Sequence, residues 1–200
     1  MNLVQEADIA AAPLVAGSLR ESVVDFTQLF MINRFGAMMK KRHATQLGIR
    51  TVRDLARQST IKYGIVESGV VRDYFRTSPQ PDYQHMWAEM MATNGSFVRS
   101  NNEGIRRVMA STDERPWAFV AGSHGLAGVM QICNVTVVTS DIWSSFAVAL
   151  PVGSAYTERL NRAILQMRET HHLEALRLRW FPSHCNDQQT VTTQPVNSAH

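Results

Sequence analysis

The segment RDLARQSTIKYGIVESG, at residues 53–69, gives the clearest indication of the fold class. Thr51 lies just before it and Asp54 three residues after that, which is the spacing of a capping box and predicts the start of a helix. The apolar run at 61–66 indicates a strand, and a second helix is predicted over 70–77. A helix, a strand and a helix in close succession are typical of a layered α/β fold.

Strands and helices alternate on both sides of this stretch. Apolar and β-branched runs predict strands at 8–12, where Pro13 is expected to end the strand, and at 35–39, 117–121, 135–139 and 146–150. Helical spacing predicts helices at 83–91, at 101–109 with Asn101 as cap, near 124–130, at 155–169 with Ser154 as cap, and at 173–180. Because this alternation runs through the middle of the chain, we predict a largely parallel sheet.

The composition is that of a globular protein, with 44% hydrophobic and 18% charged residues among 200. The net charge is +3, but the basic residues do not cluster with aromatics, so no binding to nucleic acid is expected. No apolar run is long enough to predict a membrane segment. The first residues lack the order of a signal peptide, so we expect the chain to be cut from something longer. The polar end at 183–200 is predicted to be disordered.

Catalytic groupings are absent from the sequence. It contains no Ser-His-Asp pattern, glycine-rich phosphate loop or paired carboxylates, so neither enzyme activity nor a cofactor is expected. The adjacent His171 and His172 have no third ligand at a suitable spacing, so we expect no metal site. His124, next to Gly125, could donate into a cleft, although a solvated or capping role is the simpler interpretation.

Two cysteines and two sequons leave the compartment open. Taken alone, Cys133 and Cys185 are best interpreted as inert thiols of a cytosolic protein. The sequons at Asn94 and Asn134 are compatible with glycosylation in a secreted setting, although such triplets arise often by chance.

Nine segments, in order, resemble the ligand-binding domain of ionotropic glutamate receptors. Three are similar to the end of that domain's first extracellular segment: ADIAAAPL (7–14), RESVVDF (20–26) and FGAMMKK (35–41). Six are similar to its second segment: RDLARQSTIKYGIVESG, YQHMW (83–87), NNEGIRRV (101–108), WAFV (117–120), LPVGSAYTERLNRAILQMRE (150–169) and LRLRWF (176–181). Each string is weak alone, but the shared order and spacing make a strong signal.

The resemblance implies an α/β clamshell like that of periplasmic solute-binding proteins, with the ligand between two lobes. Residues 1–30 would form part of the first lobe, 31–150 a complete second lobe, and 151–182 would return to the first lobe. The parent protein would be a ligand-gated cation channel that carries this domain on the outer side of the plasma membrane.

Two departures from the family are large. The family has three membrane segments where this chain has only the short link at 42–48. The opening half of the first lobe, with an aromatic wall of the ligand pocket, is also missing. We therefore expect a splice product, a partial gene or a designed fragment. Because the incomplete first lobe would leave strand edges uncovered, we also expect poor solubility.

The resemblance also changes the interpretation of the cysteines. The family closes a disulfide between a cysteine in a C-N-x-T-like loop and one shortly after the last tryptophan. Cys133 lies in CNVT and Cys185 follows Trp180 by five residues, so the resemblance implies a Cys133–Cys185 bridge. Such a bridge would stabilise the fold by about 4 kcal/mol in the simple chain-entropy description.

One ligand anchor of the family is retained at the start of the chain. Arg20 matches the arginine that binds the ligand's α-carboxylate, and a guanidinium suits this role because its planar fork can donate to both oxygens. Pro13 matches the position whose carbonyl accepts from the ligand's ammonium. Val15 replaces a threonine that helps to hold the carboxylate, so that hydroxyl is lost.

Two further parts of the ligand site depart from the family: the start of a helix and a single glycine. Gly69, Val70 and Val71 match the helix start that binds a distal carboxylate, but they keep only its backbone amides. The valines could equally be packing residues. Gly122 stands where the family carries the acid that pairs with the ligand's ammonium, so we expect glutamate not to bind in its usual pose. Glu67 and Asp141 are the acids that could approach the cleft instead.

Three functions therefore stay open at the level of sequence. The first is a receptor fragment that binds a small amino-acid-like ligand, such as glutamate, glycine or another. The second is a free-standing soluble solute-binding protein. The third is a truncated subunit that binds no ligand and acts by assembling with full-length receptor subunits.

Overall fold

The computed structural model describes residues 7–126 and 132–180. The described strands are β1 (Ala10–Val15), β2 (Asp25–Phe26), β3 (Met31–Lys40), β4 (Lys62–Val66), β5 (Phe97–Val98), β6 (Trp117–Gly122) and β7 (Val135–Leu150). The described helices are α1 (Ser18–Glu21), α2 (Lys41–Gln46), α3 (Val52–Ala56), α4 (Val70–Thr77), α5 (Pro81–Ala92), α6 (Asn101–Ala110), α7 (Ser123–Leu126), α8 (Thr157–Glu169) and α9 (His172–Trp180). No helix within these ranges is both long and apolar enough to cross a membrane.

The described strands form one sheet in the order β1-β7-β3-β6-β4-β5, with β2 also paired to β7. The α/β class is confirmed, but the prediction of a largely parallel sheet is wrong. Only β4 runs parallel to its neighbours β5 and β6, whereas β1, β2 and β3 pair antiparallel with β7, and β3 with β6. The helices between β4, β5 and β6 provide the crossovers that parallel pairing needs, whereas β7 returns directly along β3.

β7 is one continuous strand of 16 residues, where two separate strands were predicted. The polar residues in its middle do not end the strand, because Ser140 is satisfied inside the sheet. The Ser140 hydroxyl donates to the Phe35 carbonyl at 2.9 Å and accepts from the Ile142 amide at 3.1 Å. Opposite this point the register of β3 shifts between Arg34 and Gly36. The strand therefore passes through the irregularity and continues to Leu150.

Two of the element ends differ from the prediction because of local pairing. β1 does not end at Pro13 but continues to Val15. It lies at the edge of the sheet, where a proline is tolerated, and its ladder to β7 is irregular over the proline. α6 is capped by Ser100 rather than Asn101, since the Ser100 hydroxyl accepts from the Glu103 amide at 3.3 Å.

The capping box of α3 is confirmed, whereas the predicted cap of α8 is wrong. The Thr51 hydroxyl accepts from the Asp54 amide at 3.1 Å, and the Asp54 carboxylate accepts from the Thr51 amide at 2.9 Å. α8 begins at Thr157, after Tyr156, which makes no side-chain cap. The Ser154 hydroxyl accepts from the Tyr156 amide at 3.4 Å, one residue before the helix, and the Ser154 carbonyl accepts from the Thr157 amide at 3.2 Å.

The core lies on both faces of the sheet. One cluster packs under α3, α4 and α5 and includes Phe35, Met39, Leu55, Phe75 and Tyr83, all buried. The other packs under α6 and includes Met38 and Phe119. Successive residues of β3 point to opposite clusters because side chains alternate along a strand.

The short link that follows β3 belongs to the first of these clusters. Ala44 of α2 and Ile49 beyond it are buried in that core, and the Ile49 amide donates to the Ala44 carbonyl at 2.9 Å. At its start, the Lys41 amide donates to the Asn134 carbonyl at 2.9 Å. The link between β3 and α3 is therefore a packed part of the fold.

Candidate functional site

The candidate site lies at the carboxyl ends of β4 and β6. These strands run parallel with Gly64 opposite Phe119, so this register places Gly122 level with Glu67 and brings Gly69 to the same edge. The carboxyl edge of parallel strands is where α/β folds bind ligands, because helix starts and loops meet there. Three of the predicted ligand positions therefore come together here: Gly69, Val70 and Gly122.

Gly69 forms the turn into α4 with a backbone that only glycine adopts readily. Its φ is 95°, in the region where an L side chain is strained. It has no side chain to cap the first amides of α4, so those amides are left for a ligand or for water. Val70 and Val71 are half-buried and pack against the first core cluster. That contact supports the packing role for the two valines.

Gly122 is covered by the side chain of Asn33, which sequence reasoning missed. A Cβ on Gly122 would lie 2.5 Å from Asn33 Nδ2 and 2.7 Å from Asn33 Oδ1. Asn33 comes from β3 and is only 7% exposed. The carboxamide therefore occupies the space that any side chain at position 122 would need. The one signal in the sequence is an uncharged polar residue inside an otherwise apolar strand pattern.

The Asn33 carboxamide is held on every side. Its Oδ1 accepts from the Ser123 hydroxyl at 3.2 Å and from the His124 amide at 3.4 Å. His124 Nδ1 lies 3.0 Å from the same oxygen, and Asn33 Nδ2 donates to the Ser144 hydroxyl at 3.3 Å. We call Asn33, Ser123, His124 and Ser144 the amide clamp. It joins β3, α7 and β7 beside Gly122.

The environment of the clamp favours the neutral form of His124. Burial lowers the pKa of His124, and the positive charge of Arg177 lowers it further. A neutral ring facing the Asn33 oxygen carries its proton on Nδ1, since two lone pairs would otherwise meet. His124 Nδ1 thus faces Asn33 within the fold, and donation into a cleft stays a prediction. Its ring also contacts that of Phe146 edge-on, with centroids 5.3 Å apart.

Arg20 is exposed in α1 and is held by a neighbouring carbonyl. Its Nη1 donates to the Val15 carbonyl at 3.1 Å. Val15 lies opposite Phe146 in the β1–β7 ladder, and Phe146 contacts His124 of the amide clamp. A continuous series of contacts therefore runs from Arg20 to the clamp that covers Gly122. Pro13 lies in the irregular part of the same β1–β7 ladder.

The two acids considered for the ligand's ammonium differ in availability. Asp141 uses both oxygens inside the protein, one with the Arg53 guanidinium and one with the Tyr83 hydroxyl. Burial opposes ionisation of Asp141, but the Tyr83 hydroxyl and then Arg53 outweigh it, and the pKa of Asp141 is lowered. Glu67 is exposed at the end of β4. Glu67 is thus the better placed of the two acids.

The predicted set also includes two cysteines and two glycosylation sites. Cys133 is disulfide-bonded. Cys185 lies outside the described residues, so its pairing with Cys133 stays a prediction, as does the disordered tail. The asparagines of both sequons, Asn94 and Asn134, are exposed in turns. Among the described residues, no group of three or more His, Cys, Asp or Glu side chains could hold a metal ion.

Comparison with known proteins identifies the relatives of this chain. No model of a known protein family matches it. It is 32% identical over 148 residues to a glutamate receptor of Lymnaea stagnalis, which covers 70% of this chain and 16% of the receptor. It is 35% identical over 136 residues to the human glutamate receptor ionotropic, kainate 4, covering 66% of this chain and 14% of the receptor. For the kainate glr-3 receptor of Caenorhabditis elegans the identity is 33% over 149 residues, covering 74% and 17%.

The fold comparison agrees with the sequence comparison. The structure of Drosophila muscle GluRIIB in complex with glutamate superposes with a TM-score of 0.75 at 27% identity, covering 89% of this chain and 69% of that one. The chain spans less than a fifth of the length of the curated receptors it matches. By both sequence and fold, the chain belongs to the ionotropic glutamate receptor family, as a ligand-binding domain of the periplasmic-binding-protein-like clamshell type.

Proposed function

We propose that this chain is the extracellular ligand-binding part of a glutamate-receptor-type protein and binds a small carboxylate ligand through Arg20. The observation that carries the proposal is the series of contacts from Arg20 through Val15 and Phe146 to the amide clamp beside Gly122. Arg20 needs to give up only one carbonyl contact at an exposed site to reach a ligand. A guanidinium and the uncapped amides of α4 both favour negative groups.

The division into lobes is part of the same proposal. Residues 1–30 and 151–182 would form the partial first lobe, and residues 31–150 the second. Arg20 and Pro13 would then face Gly69, Val70, Val71 and Gly122 across the cleft. The superposition on a receptor structure solved with glutamate supports a ligand of amino-acid size. With glycine at position 122, we expect glutamate itself to bind weakly or in a different pose.

Calorimetry on the purified chain tests the carboxylate site. We expect a small dicarboxylate to bind the wild type and Arg20→Ala to weaken that binding at least tenfold, since a charge-assisted fork is lost. Arg162→Ala is the matched control, because Arg162 is an exposed arginine in a loose 3.8 Å pair with Glu158. Equal weakening by both substitutions would show general charge attraction and contradict the proposal.

The role in a channel and the place in the cell are proposals from the relatives. Those relatives are receptors, so we propose that the chain works on the extracellular side, with full-length subunits as partners. The exposed Asn94 and Asn134 offer a direct test. When the chain is directed into the secretory pathway, glycosidase treatment should lower its mass, and Asn94→Gln with Asn134→Gln should remove that shift. An unchanged mass of the wild type would contradict glycosylation.

The packed link after β3 favours one alternative. Because Ala44 and Ile49 belong to the core, the second lobe closes on itself where the family has membrane segments. This favours a free-standing solute-binding protein over a receptor subunit that has lost its membrane segments by truncation. Co-purification from cells that express the full-length receptor separates the two: a stable complex supports the subunit, and a monomer that still binds ligand supports the free-standing binder.

A further inference from the structure

We propose that Asn33 determines ligand specificity at this site, and that together with Gly122 it selects a small carboxylate that lacks an ammonium group. The inference rests on the proposed function, because it takes Arg20 as the carboxylate anchor. Because Asn33 occupies the space beside Gly122, a substitution at position 122 alone cannot restore an acid that pairs with the ligand's ammonium. The inference also names the ligand class: dicarboxylic acids without an amine.

The first step is the space at position 122. Asn33 Nδ2 and Oδ1 lie 2.5 Å and 2.7 Å from the place of a Cβ on Gly122. Carbon atoms do not approach polar atoms this closely, so even alanine requires Asn33 to move. Asn33 cannot move cheaply, since leaving the amide clamp would abandon hydrogen bonds in a site that is only 7% exposed. Gly122 and Asn33 therefore act as one unit.

The second step is the hydrogen-bonding capacity of the Asn33 oxygen. A carboxamide oxygen has two lone pairs, and three donors already surround this one: the Ser123 hydroxyl, the His124 amide and His124 Nδ1. No lone pair remains for a ligand's ammonium. Asn33 thus fills the acid's place without taking over its role.

The third step is the charge around the clamp. The charge of Arg177 acts on His124 strongly enough to contribute to its lowered pKa, and Glu174 pairs with Arg177 at 2.6 Å and 2.8 Å. Asp141 is committed to Arg53 and Tyr83. Among the described residues no buried carboxylate is free here, so an ammonium would lose its water shell without a buried partner, which is costly in a partly buried site. A ligand without that charge avoids the cost.

Glu67 is the competing partner for an ammonium. It is exposed at the end of β4, level with Gly122 in the strand register. An exposed glutamate keeps its own hydration and many side-chain conformations, so it holds a ligand charge less firmly than a buried carboxylate would. Its contribution is measured directly by Glu67→Gln.

Glutarate and glutamate are the probes for the ligand class, because they differ only in the α-ammonium. By calorimetry on the wild-type chain, we expect glutarate to bind at least tenfold more tightly than glutamate. In Asn33→Ala/Gly122→Glu, where the acid has space, we expect the preference to shift toward glutamate by at least tenfold. A wild type that prefers glutamate, or binds both acids equally, overturns the ligand class. Loss of that glutamate binding in Glu67→Gln would then identify Glu67 as the partner.

A second measurement tests the Asn33–Gly122 unit without any ligand. Gly122→Ala should lower the Tm of the wild type by several degrees, and by much less in an Asn33→Ala background, since the clash is then gone. Gly17→Ala is the matched control, because no atom lies within 4 Å of a Cβ there. Additive effects of Asn33→Ala and Gly122→Ala would overturn the unit.

The two kinds of failure are distinguishable. If neither acid binds the folded wild-type chain, the proposed function fails and the ligand class fails with it. If glutarate binding depends on Arg20 but glutamate binds as tightly, the proposed function stands and the ligand class alone is overturned.

Discussion

Two regions of this molecule are built differently although they share one sheet. The packed region, residues 31–150, buries large side chains on both faces of the sheet. The flanking region consists of β1, β2, α8 and α9. Among its described residues, Ile164 is the buried residue of α8 and α9 has none, whereas large apolar side chains such as Tyr156, Leu178 and Trp180 are exposed.

The flanking region is attached by strand pairing to β7 and by exposed hydrogen bonds, and its described helices contribute a single buried side chain. Asn161 of α8 accepts from the Gln28 amide at 2.7 Å, and the Arg168 guanidinium donates to the Leu29 carbonyl. Asp25 accepts from the Gly153 amide at 2.8 Å. Such exposed hydrogen bonds contribute little each. The packed region can therefore carry the stability of the chain, while the flanking region depends on what covers its apolar side chains.

The largest expected effect comes from truncating a leucine in each region. Leu55 is 0% exposed and Leu178 is 56% exposed. Leu55→Ala should therefore lower the free energy of unfolding by about 3 kcal/mol through lost burial and a cavity. Leu178→Ala should change it by less than about 0.5 kcal/mol. Chemical denaturation of both variants measures this, and equal losses would remove the distinction between the regions.

A smaller loss of stability is expected from substitutions at the helix starts, and it differs between α3 and α8. Thr51 closes a capping box on α3 in the packed region, so Thr51→Ala should cost about 1 kcal/mol. Ser154, the residue that the sequence predicted as cap of α8, accepts only a long 3.4 Å bond from the Tyr156 amide before the helix begins. Ser154→Ala should therefore stay within about 0.5 kcal/mol of the wild type. A comparable loss for Ser154→Ala in thermal unfolding would show that its hydroxyl caps α8 after all.

The smallest expected effect is on the pH dependence of the chain's stability. The pKa of Asp141 is lowered in the folded chain, so its contribution to stability is present above the unfolded pKa, near 3.9, and is lost as pH falls through the lower folded value. Because Asp141 is partly exposed, we expect only a modest slope. Asp141→Asn should flatten the acid loss of Tm between about pH 5 and pH 2. A steeper acid loss in that variant would contradict the assignment.

Local features of the sequence predicted local structure well. The capping box at Thr51 and Asp54 and the helix after Gly69 follow from interactions within a few residues, and both are found as predicted. Strand direction could not be predicted in the same way. Whether β7 runs beside β3 depends on contacts about a hundred residues apart, and no alternation of strand and helix contains that information.

The candidate site shows the same difference between what the local sequence predicts and what depends on long-range pairing. Family resemblance indicated Arg20, Gly69 and Gly122, and the structure brings the last two to one edge. Asn33 escaped notice because it lies 89 positions before Gly122 and no spacing rule joins them. Only the β3–β6 register, with Phe35 opposite Gly122, brings its carboxamide over the glycine. A residue that fills a site from another strand is therefore hidden from motif matching.

The uninterrupted course of β7 has a mechanical consequence. A strand of 16 residues rises about 3.3 Å per residue, so β7 is about 50 Å long. It pairs with β3 along most of its length and with β1 and β2 over its last residues. The two regions cannot swivel on a loose linker at this joint. The ladder between β3 and β7 is irregular at one point, the register shift between Arg34 and Gly36, where a strand pair bends more easily. That point lies beside Asn33, so bending of the ladder there would displace the amide clamp.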